Sequence, residues 1–327
     1  MIVIRSINDV SRIPGPRAVA LGFFDGVHLG HQRIIDDLII ESSGAGFVPT
    51  CLTFDPHPLC VLKSPAAGPK MLTSLDEKLG LFESLGVQVA VVIEFDRGLS
   101  MLTPHDFSRS VLKGALDARL VACGFNFSFG KGGAGGPGDL VRFGTEIGFK
   151  VRVHAPVLVD GVAVSSTAVR DAVSRGDVLQ AREMLGRPYS LEGEIVRGDG
   201  RGASPGMHTA NLHVAADRLL PANGVYATMS RTALGKFPSV TNVGFRPTFP
   251  VSSISVETHI LGFSGDIYGT RMGVAFLRRL RGERLFRNGI EMAEQIRRDA
   301  ALALEISAGE AEEAPMPGAR LTGGEPG

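Results

Sequence analysis

The chain is poor in cysteine and has no excess of either charge, and each shortage excludes a class of protein. Its three cysteines, Cys51, Cys60 and Cys123, lie far apart and form no CxxC pair. This spacing argues against a disulfide framework or a zinc site and favours a reducing compartment. Lysine plus arginine and aspartate plus glutamate number 34 each, so bulk charge predicts no nucleic-acid partner and no anionic membrane surface. Any polyanionic ligand must therefore be bound by local groups.

Hydrophobic runs of membrane-spanning length are also missing. The first ten residues, MIVIRSINDV, show no charged segment followed by a long apolar core, unlike a signal peptide. No apolar run elsewhere approaches the length needed to cross a bilayer. We therefore expect a cytoplasmic protein with no membrane partner.

Length and hydrophobicity are sufficient for two domains, since the chain has 327 residues and 44% of them are hydrophobic. Over residues 1–186, short apolar runs alternate with helix-like stretches. We predict strands at 18–24, 47–54, 87–95, 119–125 and 150–159, and helices at 31–43, 75–85 and 104–116. This alternation predicts a doubly wound α/β domain with a parallel sheet, whose ligands lie at the carboxyl ends of the strands.

The pattern changes in the second half, over residues 187–306. Glycines and prolines punctuate short strand-like runs, which predicts an antiparallel sandwich or barrel. The runs lie at 193–196, 223–230, 239–244, 255–262 and 272–280. An amphipathic segment at 289–306 predicts a terminal helix. The small, polar, Pro/Gly-rich residues 307–327 predict a disordered tail.

One short stretch, GFFDGVHLGHQRII at residues 22–35, carries more chemistry than a turn requires. It leads from a predicted strand into a predicted helix, and glycines in such a turn bring backbone N–H groups toward an anion. His28 and His31 are three residues apart at the helix start, so both imidazoles can face one ligand. An imidazole there can donate to phosphoryl oxygens as charge builds during transfer. Two solvated loop histidines would be the plainer interpretation.

The run LGFFDGVHLGHQ resembles the HxGH signature of nucleotidylyltransferases, in the form found in FMN adenylyltransferases, the N-terminal half of bacterial bifunctional FAD synthetases. The resemblance implies that His28 and His31 stabilise the α-phosphate of ATP while the phosphate of FMN attacks it and pyrophosphate leaves. No metal-ligand role is implied for either histidine. ATP-binding roles are implied for further residues of the same turn: Gly22, Phe24, Asp25 and Gly30.

Two further stretches resemble the flavin side of the same family. TFDPHP implies that Phe54, Pro56 and Pro58 bind flavin, although alone it would be an ordinary Pro-rich turn. GFNFSFGKGG implies a flavin contact for Asn126, although its alternating phenylalanines could simply be core.

The stretch SSTAVR resembles the family's SSTxxR segment. Ser165, Ser166 and Thr167 can cap the helix that carries Arg170, and capping alone is the plainer interpretation of the serines. With the resemblance, the helix N-terminus and Arg170 would hold the ATP phosphates, which makes Arg170 a catalytic candidate.

A glycine-rich stretch, GDGRGASPGMHTANLHV, stands out in the second half. Gly198, Gly200 and Gly202 let the backbone approach a phosphate closely. Thr209 and Asn211, two residues apart on an extended chain, point the same way and are candidate ligands for Mg²⁺ or phosphate oxygens. A polar surface hairpin is the plainer interpretation.

This stretch resembles the riboflavin kinase module, as do NGVYA, NVGFRPTF, VETHIL and DIYG in the same order. The resemblance implies an antiparallel β-barrel domain with a terminal helix. It further implies that Thr209 and Asn211 bind Mg-ATP, and that Glu257 acts as general base on the ribityl 5′-hydroxyl of riboflavin.

The kinase loop departs from the family pattern just before Thr209. The departing positions hold Ala203, Pro205, Gly206, Met207 and His208. Loss of the family's arginine removes a phosphate contact, and His208 in place of proline frees the φ angle before Thr209. Thr209, Asn211 and Glu257 are retained, which favours an active kinase.

The sequence therefore predicts a bifunctional enzyme with the substrates riboflavin, FMN and ATP. The domain at 187–306 would phosphorylate riboflavin, and the domain at 1–186 would adenylylate FMN to FAD, with Mg²⁺ carried by the nucleotide. The main alternative is a monofunctional FMN adenylyltransferase whose second domain binds flavin without kinase activity. Two others are a nucleotidylyltransferase for another substrate and a non-catalytic flavin-binding regulator. Oligomeric state does not follow from the sequence.

Overall fold

The chain forms two compact units, which are described separately. The computed structural model describes residues 1–13, 15–64, 68–196, 209–245 and 254–313. The first unit comprises Met1–Asp171, Glu183–Arg187 and Asp217–Leu219. The second comprises Ala172–Arg182, Pro188–Ala216 and Leu220–Gly327.

The first unit contains a six-stranded sheet with helices between its strands. Its strands are β1 (Ile2–Ile4), β2 (Arg17–Leu21), β3 (Val48–Asp55), β4 (Val89–Glu94), β5 (Ala118–Gly124) and β6 (Lys150–His154). The helices that begin in this unit are α1 (Leu29–Ala45), α2 (Pro58–Leu62), α3 (Leu75–Ser84), α4 (Arg97–Ser100), α5 (Pro104–Asp106), α6 (Pro137–Ile147) and α7 (Ser166–Arg175). A π-helix (Phe107–Ala115) continues α5, and a hairpin joins β7 (Leu158–Val159) to β8 (Val162–Ala163).

The strand order is β1-β4-β3-β2-β5-β6, and every pairing is parallel. From β2 the chain adds β3 and then β4 on one side, and afterwards β5 and β6 on the other. The order therefore reverses between β2 and β5. The crevice at the carboxyl ends of these two strands is the place where doubly wound sheets bind their ligands.

Strand β2 is buried on both faces and separates two apolar clusters. Ala18 and Ala20 belong to the cluster that contains Leu38 of α1, whereas Val19 and Leu21 belong to the cluster on the other face. A strand covered on both sides needs apolar residues at every position, which explains the continuous run AVAL. The three cysteines are free, and two of them are buried.

Most of the predicted elements of this unit are present, and the differences lie at strand ends and in elements that the sequence did not reveal. The first strand ends at Leu21 instead of residue 24, because Phe24 and Val27 take positive φ angles of 57° and 41° that no strand accommodates. The strand predicted at 150–159 stops at His154. Several elements were not predicted, among them the short helices α2 and α4, the three-residue strand β1, and α6, which begins in a Gly/Pro-rich stretch.

The second unit is built on a closed antiparallel barrel with the strand order β10-β13-β12-β11-β14-β9. Its strands are β9 (Tyr189–Val196), β10 (Thr209–His213), β11 (Gly224–Thr232), β12 (Gly235–Phe245), β13 (Ile254–Ile260) and β14 (Arg271–Arg281). Helix α8 (Val178–Leu185) precedes the barrel in sequence, and α9 (Gly289–Glu313) follows it. The predicted fold class is confirmed for both units, and of the sandwich and the barrel it is the barrel that forms.

Five hydroxyl groups form a continuous chain of hydrogen bonds inside the barrel. Ser230 donates to Ser239 at 2.8 Å, and Thr228 lies 2.8 Å from both Ser239 and Thr241. Thr241 in turn lies 2.9 Å from Thr258. All five side chains are buried. Each hydroxyl finds its partner within the chain, so the barrel buries polar groups without leaving them unsatisfied.

Helix α9 corrects the predicted start of the tail. The amphipathic pattern predicted an end at residue 306, but the helix continues through Glu313. Ser307 is buried, and Glu310 forms an ion pair with Arg182, so tertiary contacts extend the helix beyond its apolar stripe. The rest of the predicted tail, 314–327, lies outside the described residues, and the domain boundaries stay predictions. Over the ranges described above, no helix is both long and apolar enough to cross a membrane.

Candidate active sites

The β2–α1 turn, residues 22–28, lies at the switch point of the first unit and borders a cavity of about 370 Å³. Most residues predicted for adenylyl transfer line this cavity together: Gly22, Phe24, Asp25, His28, Gly30, His31, Phe54, Pro58, Asn126, Ser165, Ser166, Thr167 and Arg170. Pro56 is not part of the lining, and it follows Asp55 through a cis peptide bond. Residues spread over 149 positions of sequence, from Gly22 to Arg170, thus meet at one cavity.

His28 and His31 are stacked against each other, with ring centroids 3.6 Å apart and ring planes 18° apart. His28 is the N-cap of α1, because its Nδ1 accepts a hydrogen bond from the backbone N–H of His31 at 3.4 Å. A neutral imidazole whose Nδ1 accepts carries its proton on Nε2. His28 therefore keeps Nε2–H as a donor. The edge of the Phe24 ring contacts His31 at a centroid distance of 5.1 Å.

Both histidines are held neutral by their surroundings. Burial, together with the positive charges of Arg187 and, to a smaller extent, Arg170, lowers the pKa of His28 to about 4. Burial also lowers the pKa of His31 well below its usual value, assisted by His28 and Lys78. At neutral pH the pair therefore offers neutral N–H donors and no cationic charge of its own.

Asp25 is part of the turn, and other groups of the protein bind its carboxylate. It accepts hydrogen bonds from the backbone N–H groups of Leu72 at 3.0 Å and Thr73 at 3.2 Å. Its Oδ2 also accepts from the guanidinium of Arg170 at 2.5 Å. These contacts make Asp25 a positioning residue for Arg170. Its predicted contact with ATP stays a prediction.

Helix α7 begins beside the turn and is capped as the sequence predicts. The hydroxyl of Ser165 accepts from the N–H of Ala168 at 3.1 Å. Ser166 donates instead to the backbone carbonyl of Asp25 at 2.9 Å, which joins the helix start to the turn. Arg170 donates through Nε to the carbonyl of Lys70 at 2.9 Å. The helix N-terminus and one guanidinium therefore lie at the same wall of the cavity.

Sequence reasoning missed two cations that hold the back of the turn. Lys78 donates from Nζ to the carbonyl of Phe23 at 2.9 Å and lies 4.1 Å from the centroid of the Phe23 ring. Arg187 donates to the carbonyl of Gly26 at 2.8 Å. One signal was available for Lys78, because it occupies a position of the buried stripe of α3 together with Leu79.

A short segment, Asp217–Leu219, belongs to the first unit although it lies in sequence between β10 and β11. Its backbone pairs with Met71, which donates to Asp217 at 2.7 Å and accepts from Leu219 at 3.0 Å. Arg218 forms a buried ion pair with Glu77 and donates to the carbonyl of Leu72 at 3.0 Å. The loop at residues 71–73 therefore contacts Asp25 on one side and the Asp217–Leu219 segment on the other.

The second candidate site lies on the barrel strands β10, β13 and β12. Asn211 stands directly opposite Glu257 in the β10–β13 pairing, and Glu257 stands opposite Asn242 in the β13–β12 pairing. Thr209 is two residues from Asn211 on β10, so it shares the same face. The structure thus brings together the three predicted kinase residues that it describes, and it adds Asn242, which was not predicted.

The glycines of the kinase loop, Gly198, Gly200 and Gly202, lie outside the described residues, as do the substituted positions before Thr209. Within the described ranges, no group of three or more His, Cys, Asp and Glu side chains is arranged to hold a metal ion. Thr209 and Asn211 offer a hydroxyl and an amide oxygen, which are hard donors of the kind that Mg²⁺ accepts.

Comparison with known proteins finds two family matches along the chain. A family described as FAD synthetase matches residues 11–168, and one described as riboflavin kinase matches residues 185–307. A bifunctional riboflavin kinase/FMN adenylyltransferase from Listeria monocytogenes is 35% identical over 285 residues, which is 86% of this chain and 90% of that protein. The protein of the same description from Escherichia coli K12 is 34% identical over 309 residues, 94% of this chain and 98% of its own.

A crystal structure described as a macrolide-efflux protein from Streptococcus pneumoniae is also similar. It is 27% identical with a TM-score of 0.85, and the alignment covers 93% of this chain and 99% of that one. The likeness concerns the fold, and the description belongs to that protein alone.

Proposed function

The chain belongs to the family of bifunctional riboflavin kinase/FMN adenylyltransferases, and from that membership we propose how its own residues carry the two reactions. Both enzyme domains are matched, so the prediction of two activities is confirmed and the kinase-inactive alternative gains no support. In the first reaction ATP phosphorylates riboflavin to FMN. In the second, FMN takes AMP from another ATP to give FAD and pyrophosphate.

For adenylyl transfer, a phosphate oxygen of FMN attacks the α-phosphorus of ATP while the bond to the β-phosphate breaks. Negative charge grows on the phosphoryl oxygens during this step. The neutral His28 donates its Nε2–H to those oxygens, and His31 supports the orientation of His28 by stacking. A neutral donor gains hydrogen-bond strength as charge builds, so the pair favours the transition state over bound ATP.

Arg170 and the N-terminus of α7 bind the β- and γ-phosphates, which leave as pyrophosphate. Asp25 and the carbonyl of Lys70 fix the guanidinium of Arg170, so little side-chain entropy is lost when the nucleotide arrives. Ser165 occupies the cap of α7, and the remaining N–H groups of its first turn favour an anion.

The flavin ring of FMN lies against the β3 and β5 ends of the cavity. Phe54 and Pro58 supply apolar surface on one side, and Asn126 supplies an amide group on the other. The ring needs flat apolar contacts and a few directional hydrogen bonds, which these residue types provide. Pro56, which was also predicted to bind flavin, does not line the cavity.

For riboflavin phosphorylation, Glu257 takes the proton of the ribityl 5′-hydroxyl as the hydroxyl oxygen attacks the γ-phosphorus of ATP, and the bond from that phosphorus to the bridging oxygen breaks and releases ADP. Asn211 and Thr209 share the face of the barrel that carries Glu257, and they bind the nucleotide with its Mg²⁺. When bound, Mg²⁺ neutralises phosphate charge. The donor atoms of Thr209 and Asn211 fit this ion, because both are uncharged oxygens suited to a cation already held by phosphates.

The observation that carries the proposal is the stacked His28–His31 pair at the switch point, in a cavity shared with the start of α7. The test is a pair of parallel reactions of the purified chain with Mg-ATP, one supplied with riboflavin and the other with FMN, followed by chromatography of the flavins. We expect FMN and FAD from riboflavin, and FAD from FMN. FAD from the FMN reaction alone would show that the loop before Thr209 has lost kinase chemistry. No FAD in either reaction would overturn the assignment of the first site.

A further inference from the structure

Four carbonyl groups of the β2–α1 turn are each held by a side chain from elsewhere in the first unit. The carbonyl of Phe23 accepts from Thr53 Oγ1 and Lys78 Nζ, both at 2.9 Å. The carbonyl of Asp25 accepts from a serine of α7, as described above. The carbonyl of Gly26 accepts from Arg187 at 2.8 Å.

The carbonyl of Val27 completes the set. It accepts from Gln32 Nε2 at 2.8 Å and from Arg187 at 3.3 Å. The same two side chains also reach the carbonyl of Leu185, at 2.8 Å and 3.3 Å. Arg187 therefore donates to two successive carbonyls of the turn, those of Gly26 and Val27, and to the carbonyl of Leu185.

The turn needs this support because its backbone is strained. Phe24 and Val27 have φ angles of 57° and 41°, a region that residues with a side chain rarely adopt. Strain of this kind costs free energy and persists only where the surroundings impose it. Gly26 has a φ of 80°, and a Cβ atom there would lie 2.8 Å from Leu72. The conformation that presents His28 is therefore imposed by contacts outside the turn.

Two of the supporting side chains are cations that have no close carboxylate. Lys78 is only 3% exposed, yet neither Lys78 nor Arg187 lies within 4 Å of a carboxylate among the residues that the structure describes. Carbonyl oxygens satisfy their N–H groups, and the more distant carboxylates of Asp25 and Asp55 for Lys78, and of Glu77 for Arg187, compensate only part of their charge. Removing an unpaired charge from water costs free energy, so a fold keeps one where it returns a benefit.

From this geometry we propose that Lys78 and Arg187 are positioning residues for adenylyl transfer. They fix the carbonyl side of the turn, so that His28 and His31 are preorganised at the cavity. Their charge, which no carboxylate within 4 Å neutralises, also provides positive potential behind a site that receives a polyanion. This inference rests on the assignment of the first site to adenylyl transfer, and the experiment below separates the failure of one from the failure of the other.

Lys78 adds a pH signature to this role. Burial lowers the pKa of Lys78 to about 8, against the opposing influence of Asp25 and Asp55. His31 and His57 also face this ammonium group, and both are neutral near pH 8, because burial lowers their pKa values. Above about pH 8, loss of the proton removes the positive charge behind the turn. Arginine at this position would keep its charge throughout that range.

The test compares charge-removing and charge-keeping variants of each residue: Lys78→Met, Lys78→Arg, Arg187→Met and Arg187→Lys. The measured quantities are kcat and KM for FAD formation from FMN, the riboflavin kinase rate of the same preparation, and the thermal melting curve. Lys113→Met is the matched control, because Lys113 also donates to a backbone carbonyl, that of Gly148 at 3.1 Å, but away from the turn. His28→Ala is measured alongside as a reference for the site itself.

We expect kcat for FAD formation to fall about tenfold to a hundredfold in both methionine variants, since misplacing a catalytic group by about 1 Å can cost a factor of 10². The KM for FMN and the kinase rate should stay near those of the parent chain, and Lys113→Met should match it throughout. Lys78→Arg should restore part of kcat and abolish the loss of FAD formation above about pH 8. The positioning role is supported only if these changes are accompanied by a large loss of FAD formation in His28→Ala.

Parental kcat in both methionine variants, together with an impaired His28→Ala, would overturn the positioning role and leave the site assignment standing. An unimpaired His28→Ala would instead overturn the site assignment. If a methionine variant melts at a much lower temperature, the charge-keeping variants Lys78→Arg and Arg187→Lys decide whether the residue is a positioning residue. If FAD formation falls above about pH 8 to the same extent in the parent chain and in Lys78→Arg, that result would exclude Lys78 as a positioning residue.

Discussion

The two sites of this chain are built in different ways. The first depends on an irregular turn between β2 and α1, whose strained backbone is held by side chains that are remote in sequence. The second lies on regular strands, where Asn211, Glu257 and Asn242 follow from the pairing register alone. A site on a turn should therefore be sensitive to substitutions of its distant supports. A site on paired strands should be sensitive mainly to substitutions of the reacting residues themselves.

The largest expected effect is on the strand site. Glu257→Gln removes the proposed proton acceptor while keeping size and register, and general-base catalysis typically contributes about 10²–10⁴-fold. We expect riboflavin phosphorylation to fall by that order and adenylylation of supplied FMN to remain. Assays started separately from riboflavin and from FMN measure the two. Kinase turnover at the parental rate would remove Glu257 from the mechanism.

Next in size is the loss of a phosphate donor at the turn site. His28→Ala should reduce FAD formation from FMN by about a hundredfold or more, the typical cost of removing one donor to a developing oxyanion. FMN formation from riboflavin should be unchanged, and it serves as the internal control. Equal loss of both activities would mean that the substitution disturbs more than the first site.

Asp25→Asn tests whether the turn site depends on the residues that hold its turn, as the comparison of the two sites predicts. Asp25 pairs with Arg170 and accepts from two backbone N–H groups, and breaking a buried ion pair costs about 3 kcal/mol. We expect a lower melting temperature and a raised KM for ATP in FAD formation, because Arg170 loses its fixed partner. Kinetics measured well below the melting transition separate the two effects. An unchanged KM for ATP would assign Asp25 to stability alone.

The smallest effect on activity is expected inside the barrel. Thr241→Val breaks the hydroxyl chain and leaves Thr228 and Thr258 each without one partner, at a cost of about 1–3 kcal/mol. Thr241 neighbours Asn242, yet its side chain lies on the opposite face of β12. The free energy of unfolding should fall while kinase kcat stays within about twofold of the parent. A large loss of kinase kcat would show that the strand site also depends on remote support.

The contrast between the sites also explains what the sequence could predict. His28 and His31 occur in a compact motif, and Thr209 and Asn211 follow strand alternation, so these four could be proposed from the residues themselves. Arg170 and Glu257 were proposed from the resemblance to the two families. The fold class followed from strand–helix alternation in one half and punctuated short strands in the other.

Lys78 and Arg187 could not be assigned in this way. Lys78 and Arg187 act on the turn across 55 and 161 residues of chain, and their roles exist only once the fold brings them to its carbonyls. The end of α9 escaped for the same reason, since Glu310 extends the helix through a contact with Arg182, 128 residues earlier. Local patterns do not record such pairings.

The segment Asp217–Leu219 has a consequence for how the chain is made. The first unit is not complete when its last helix has been synthesised, because Arg218, the cation that pairs with Glu77, is translated only after β9 and β10 of the barrel. A nascent or truncated chain ending at Arg187 contains the histidine turn, all six parallel strands and Glu77, but not the arginine. A gene cut between the two family matches therefore does not separate two complete folding units. Part of the first unit, Asp217–Leu219, is encoded within the second.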